Sequence, residues 1–192
     1  YYSSAADDLE TYHENRAVFR RIWLRPRILR NVRYVDPSTK ILGIPSALPF
    51  YITATALGRM GHPDGELNLT RAAAKTGLIQ MIPTLSSVSF DEIIDARNQE
   101  GGPAQFFQLY VSTDRNVVAN MLRRAEETNV KAIFVTVDAP QLGRREQDMR
   151  MHFVDEGSNV QGGHVEKRDE GAARAITSFI DPSFDWDDVL WM

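Results

Sequence analysis

Four short apolar runs alternate with three amphipathic stretches through the middle of the chain. The runs cover residues 49–54, 78–82, 105–111 and 132–138. Each has strand length and strand composition. The stretch 66–75 is rich in alanine and ends at Gly77, a C-cap signal, which predicts a helix. Residues 90–97 carry Ile93 and Ile94 behind Ser89, a candidate N-cap, and predict a second helix. From 114 to 128, Val117, Val118, Met121, Leu122 and Ala125 recur at helical spacing and predict a third. Strands that alternate with helices over short links imply βαβ units and a parallel sheet.

The last run is the most informative. Ala132 to Val137 is β-branched and uncharged, which reads as a strand buried on both faces, and it stops at Asp138. A carboxylate at the end of a buried strand needs a cation or several donors to meet it. Arg144 and Arg145 follow within seven residues, behind Pro140 and Gly143. Asp138 and Arg145 are therefore candidate functional residues. The residues alone leave equally open a turn-capping aspartate beside solvated arginines.

Two parallel architectures compete. No strand is followed by Gly-x-Gly-x-x-Gly, which removes the main support for a dinucleotide-binding sheet. Thr55, Thr84, Tyr110 and Asp138 instead place a polar residue at or just beyond the end of each strand, as a (β/α)8 barrel does where chemistry is done. A barrel has eight such units in about 250 residues. Four are present, so the expected fold is α/β, the first half of a TIM barrel.

Residues 1–48 form an N-terminal cover in this reading. A loop runs into an amphipathic helix ending near Val18, capped by Asp7 or Asp8, with Leu9, Tyr12, Val18 and Phe19 making apolar contacts. Further on, a turn at Asp36-Pro37-Ser38 separates two extended pieces of a small hairpin. Residues 49–145 hold the four βα units. Residues 146–171, with Gly157, Gly162, Gly163 and many charges, read as a long mobile loop. Residues 172–179 form a short helix, and Asp181-Pro182-Ser183 caps a final one over 185–192.

Composition narrows the function. The 192 residues suffice for one domain with a real core. Seven arginines between Arg16 and Arg33 suggest an anion-binding strip, but apolar residues interleave them and the whole chain carries a net charge of −4. A solvated surface is favoured over nucleic-acid binding. The absence of cysteine removes thiol catalysis and cysteine metal sites. No apolar run approaches the ~20 residues of a membrane span. The chain opens on Tyr-Tyr-Ser-Ser with no leader pattern, so either a start has been removed or this is a piece of a larger protein.

Several motifs, in order, resemble one family: Tyr1-Tyr2-Ser3-Ser4-Ala5, Pro26-Arg27-Ile28-Leu29, Ala54-Thr55-Ala56-Leu57, Phe107-Gln108-Leu109-Tyr110, Val135-Thr136-Val137-Asp138-Ala139-Pro140 and Leu142-Gly143-Arg144-Arg145-Glu146. These resemble the FMN-dependent α-hydroxy acid dehydrogenases and oxidases, above all the flavin domain of the flavocytochrome type of lactate dehydrogenase. The resemblance covers the first half of that family's barrel. It implies FMN as cofactor and a small L-2-hydroxy acid, lactate-like, as substrate, oxidised to the 2-oxo acid. It implies Tyr1 on the substrate carboxylate and Tyr110 near the substrate hydroxyl. Asp138 would orient a base histidine and stabilise its protonated form, as a triad aspartate does. Arg145 would add positive charge from the following loop, and Leu85 would face the substrate side chain. Ala54, Thr55 and Ala56 would meet the flavin ring, while Gln108 and Thr136 would meet its pyrimidine edge. The resemblance further implies a homo-oligomer and a mitochondrial or cytoplasmic setting, and leaves the electron acceptor open.

Pro83 stands where the family has a hydroxyl residue facing FMN. The family's base histidine, carboxylate-binding arginine, flavin lysine and phosphate loops belong to the second half-barrel. His13, His62, His152 and His164 do not match that histidine's context. The rival reading is therefore a catalytically silent half-barrel that acts through association with another chain.

Overall fold

A computed structural model describes residues 1–139, 143–151 and 180–192. Helix α1 (Glu10–Ala17) runs into a single 3-10 turn (Val18–Arg21). A hairpin follows, β1 (Thr39–Ile41) and β2 (Ile44–Ser46). Then α2 (Leu67–Thr76), β3 (Gln80–Ile82), α3 (Phe90–Gln99), β4 (Gln105–Leu109), α4 (Arg115–Glu127) and β5 (Ile133–Val135) alternate. A second 3-10 turn (Gly58–Met60) precedes α2, and two short helices complete the described elements: α5 (Glu146–Met151) and α6 (Trp186–Trp191).

Strands β3, β4 and β5 pair in parallel and in chain order, with Met81 opposite Phe106 and Gln108 opposite Phe134. Sequential parallel order with a helix in each crossover is the organisation of a βα barrel, and the sheet is part of one. Alternation along β4 separates two cores. Phe107 and Leu109 face the helices with Ile82, Ile93, Ile94 and Val118. Phe106 faces the other side with Met81, Ile79, Phe134 and Tyr51, and the hairpin's Ile41 and Ile44 pack against this layer.

The helices form for local reasons. Ser89 accepts from the Glu92 N–H while the Glu92 carboxylate accepts from the Ser89 N–H, a complete capping box at the start of α3. Asp114 caps α4 through the Asn116 N–H, and Gly77 closes α2 with a left-handed C-cap.

Elsewhere the local signals are overridden. The run 49–54 makes only one parallel bridge, Ile52 to Gln80, instead of a strand. The hairpin turns at Leu42 and Gly43, both with positive φ, as a two-residue hairpin turn requires. Asp36 instead accepts from the Ser38 N–H, outside the hairpin. Neither Asp7 nor Asp8 caps α1: Leu9 takes that position in a left-handed conformation, Asp7 pairs with Arg144, and α1 has no buried residue. Phe19 is exposed, as are Trp23, Leu24, Ile28 and Leu29 along the arginine-dense segment.

Strand β5 is not buried on both faces. Ile133 is 37% exposed and Val137 73% exposed, because the described sheet has no neighbour beyond β5. The expected loop from 146 begins as helix α5 with Asp148 buried. The rest of that loop and the helix expected over 172–179 lie outside the described residues.

The cap of α6 is Asp185, which accepts from the Asp187 and Asp188 N–H groups, not the Asp181-Pro182-Ser183 turn. Asp181 instead accepts from the Ser183 hydroxyl and N–H and pairs with Arg115 at 2.9 Å. Those hydrogen bonds, with the Arg115 charge after them, hold its carboxyl below the usual range. Arg115 also meets Asp188 at 2.7 Å, so one guanidinium docks α6 against the start of α4.

Candidate functional site

The C-terminal ends of the parallel strands gather most of the candidate residues. Pro83 ends β3 and brings no N–H, so the ladder to β4 cannot continue there by backbone alone. The buried Thr84 hydroxyl takes over. It donates to the Gln108 carbonyl at 2.6 Å and accepts from the Tyr110 N–H at 3.0 Å. The Thr84 N–H donates to Gln108 Oε1 at 3.1 Å, and Gln108 Nε2 donates to Thr136 Oγ1 at 2.8 Å. A polar row, Thr84–Gln108–Thr136, thus crosses the ends of three neighbouring strands.

Beside this row Tyr110 packs with Tyr1, Ala56 and Met60 around Leu57 and Leu85. Burial raises the Tyr110 phenol above its ordinary value, and the negative charges that Tyr1 and Asp138 can carry push it the same way. Burial also raises Tyr1, partly offset by the charge and hydrogen bond of Arg145. Both phenols therefore stay protonated and able to donate through the neutral and mildly alkaline range.

A phenol whose folded pKa lies above its unfolded value contributes stability that is present below about pH 10 and lost as pH rises through the folded pKa. In an alkaline absorbance titration, Tyr1 and Tyr110 are expected to ionise late, above the ordinary range of a tyrosine. Tyr110→Phe should remove one of these two late steps and leave the Tyr1 step; a late phase unchanged in amplitude by the substitution would refute the assignment.

The N-terminal segment and the segment after β5 are tied together over this cluster. An Arg145 Nη atom donates to the Tyr1 carbonyl at 2.5 Å and to the Ser4 carbonyl and hydroxyl, each at 2.9 Å. Its guanidinium lies 4.7 Å from the centre of the Tyr1 ring. The Asp7 N–H donates to the Arg144 carbonyl at 2.8 Å, and a Cβ on Gly143 would come within 2.6 Å of the Ala6 Cβ, so only glycine admits this approach. The Tyr2 hydroxyl reaches the Ala56 and Leu57 carbonyls, each at 2.8 Å.

The structure thus brings Tyr1, Tyr110, Leu85, Ala56, Gln108, Thr136 and Arg145 into one region. Asp138 is exposed, so the desolvation argument for it does not hold, although its charge bears on Tyr110. Leu85 is fully buried beneath the two tyrosines. Ala54 packs with the inner aromatic layer, while Thr55 is exposed. Residue-by-residue reading missed the ladder role of Thr84, the tether through Ser4 and the buried carboxylate of Glu66. A proline at the strand end was the one available signal for the first. Among the described residues there is no cluster of metal-binding side chains, and no helix is long and apolar enough to cross a membrane.

Parallel strands in chain order, with polar groups collected at their C-terminal ends, define part of a βα-barrel enzyme domain. The chain belongs to the FMN-dependent dehydrogenase family, whose model matches residues 1–192. It is 49% identical over its whole length to an L-lactate dehydrogenase (cytochrome) of Wickerhamomyces anomalus and 42% identical to glycolate oxidase 3 of Arabidopsis thaliana. It spans 33% of the first and 53% of the second. Among solved structures, the flavin-binding domain of baker's yeast flavocytochrome b2 matches 98% of the chain at 42% identity and TM-score 0.82, over 44% of that chain. A mandelate oxidase with (S)-4-hydroxymandelic acid matches 97% at 33% identity and TM-score 0.84, over 53% of that chain.

FMN is the family's cofactor. The polar row fits the ring end of that group. Gln108 Nε2 keeps a second N–H beyond its bond to Thr136, and both side chains are only half-buried. A donor pair at the mouth of the sheet suits the carbonyl-bearing pyrimidine edge of a flavin.

Proposed function

We propose that this chain supplies the first half of a flavin domain that oxidises a small, lactate-like L-2-hydroxy acid to the 2-oxo acid. The observation that carries the proposal is the packing of Tyr1 and Tyr110 over Leu85, beside the Gln108–Thr136 pair. Substrate-facing and cofactor-facing groups thereby adjoin. The 49% identity to a lactate dehydrogenase supports lactate over glycolate or mandelate as the first substrate to try.

In this proposal Ala54, Thr55 and Ala56 line the flavin ring, and Gln108 and Thr136 bind its pyrimidine edge. FMN, when bound, supplies the two-electron sink for the oxidation. Tyr110 donates its phenolic proton to the substrate near its hydroxyl oxygen, and burial keeps that proton in place. Tyr1 donates to the substrate carboxylate, with the Arg145 charge 4.7 Å from its ring favouring an anion there. Leu85 sets the floor under both tyrosines and limits the side chain that fits. Asp138 holds a protonated histidine contributed by the second half of the domain, which stabilises the charge formed as the substrate proton is taken up.

The rival reading, a silent half-barrel that acts by associating with another chain, is favoured by the open edge at β5, where Ile133 is 37% exposed and Val137, two residues beyond the strand, is 73% exposed. One experiment separates the two. The purified chain is mixed with FMN and desalted, and retained flavin is measured by absorbance and fluorescence before and after adding L-lactate. Stoichiometric retained flavin is the expected result for the enzyme reading, and L-lactate should bleach it only when the histidine-bearing second half of the domain is also supplied. No retained flavin, with a second copy or another chain bound in light scattering, would replace it by the rival.

A further inference from the structure

One buried carboxylate has no part in the site described so far. Glu66 stands just before α2 and is fully buried, yet its side chain does not cap that helix. Its Oε1 accepts from the Gly58 N–H at 2.8 Å and the Ser87 N–H at 3.0 Å. Its Oε2 accepts from the Ser87 hydroxyl at 2.7 Å and the Val88 N–H at 3.2 Å. These donors come from two different loops. Gly58 follows Ala54–Leu57, after the Ile52–Gln80 bridge, and Ser87 and Val88 follow Thr84 and Leu85, after β3.

Other contacts run between the same two loops. The Arg59 N–H donates to Ser87 Oγ at 2.8 Å, and the Leu57 N–H donates to the Leu85 carbonyl at 3.2 Å. The approach to Glu66 is close enough to demand glycine. A Cβ on Gly58 would lie 2.9 Å from the Glu66 carboxyl carbon. A buried carboxylate is costly unless its lone pairs are met, and here four donors meet them, so the carboxylate and both loops hold one geometry together.

We propose that Glu66 is a positioning residue: its carboxylate sets the spacing between loop 54–58 and loop 84–88, and so the placement of the groups that meet the flavin ring and of Leu85 under the substrate. The flavin part of this statement rests on the function proposed above; the clamp itself does not. Glu66 touches neither group and acts only through the two loops. In Glu66→Gln the volume is kept but one carboxylate oxygen becomes an NH2, which opposes at least one N–H donor whichever way the amide turns. Ser87→Ala removes one donor and leaves the other three.

The test is amide hydrogen exchange on the full chain, read beside FMN binding by fluorescence quenching. In Glu66→Gln, amides of residues 56–60 and 85–88 should exchange at least about tenfold faster, while β4 and α4 keep wild-type protection, as expected of a local opening. Ser87→Ala should open the same two loops to a smaller extent. FMN affinity should fall in the same order. If both loops stay protected in Glu66→Gln, or if all amides accelerate together, the clamp is overturned. If the wild-type chain binds no FMN, the flavin reading falls, and the exchange pattern still decides the clamp. Unchanged FMN affinity in a variant whose loops have opened would overturn the positioning role.

Discussion

Phe106→Ala should lower the unfolding free energy by about 3–5 kcal/mol, the usual cost of emptying a fully buried phenylalanine site. Phe106 has no solvent exposure. Its ring meets Tyr51 at 5.8 Å in an edge-on arrangement and Phe134 at 5.3 Å, with Ile79 and Met81 completing the layer. The site has little scope for collapse. Phe106 sits on the central strand of the sheet, and the hairpin's Ile41 and Ile44 close the layer from another side.

Against a total stability of about 5–15 kcal/mol, such a loss removes a large share of the folded population's margin. With a urea slope of roughly 1–3 kcal/mol/M, the midpoint should fall by about 2 M with the slope unchanged. Phe19→Ala is the control. That ring is 74% exposed, and its loss should change stability by no more than about 0.5 kcal/mol. A loss under about 1 kcal/mol for Phe106→Ala would mean that the inner aromatic layer is not a packed core.

Thr84→Val is expected to cost about 2–4 kcal/mol although it barely changes volume, because two backbone groups lose their partner at once. The Gln108 carbonyl and the Tyr110 N–H are both satisfied by the Thr84 hydroxyl, which is fully buried. Valine leaves both unpaired at the end of a sheet where water has little access. Thr84→Ser keeps the hydroxyl and should cost about 1 kcal/mol, the transfer value of the lost methyl.

The functional consequence concerns Tyr110. Its phenol is raised chiefly by burial, so loosening its backbone should bring its ionisation back toward that of an ordinary tyrosine. Equilibrium unfolding and the alkaline absorbance titration read the two effects separately. A Thr84→Val chain with wild-type stability would show that the hydroxyl bridge carries no energy. A destabilised chain with unaltered late tyrosine ionisation would show that Tyr110 is held by its packing on Tyr1 and Leu85.

Short-range physics was legible along the chain. Helices α2, α3 and α4 announce themselves through caps and 3.6-residue spacing, and their bounds fall within two residues of the expectation at each end. Those signals are written in neighbouring residues, so one strand of text contains both partners of each interaction. The parallel order of the sheet follows in the same way, since a helix between two strands forces a crossover. The ordered motifs were sufficient for the family. Tyr1 and Tyr110, Gln108 and Thr136 were named from those motifs, and the fold brings them together.

Whatever depends on residues far apart in the chain was decided by tertiary structure. Asp138 reads as a carboxylate at the end of a buried strand, but β5 has an open side in the described sheet, so water solvates it. The run 49–54 has a strand's composition and receives one bridge, because pairing is a property of two segments. Arg145 finds its partners 141 and 144 residues away, at Ser4 and Tyr1.

Glu66 shows the division most clearly. By sequence it is an ordinary helix-start glutamate, exposed in most proteins. In the fold it is buried because donors from two other loops converge on it, and no local pattern records where those donors will be. The sequence by itself determined helices α2 to α4, the parallel sheet and the family; the burial and partners of the charged and polar groups that pair across the fold were set only when distant segments met.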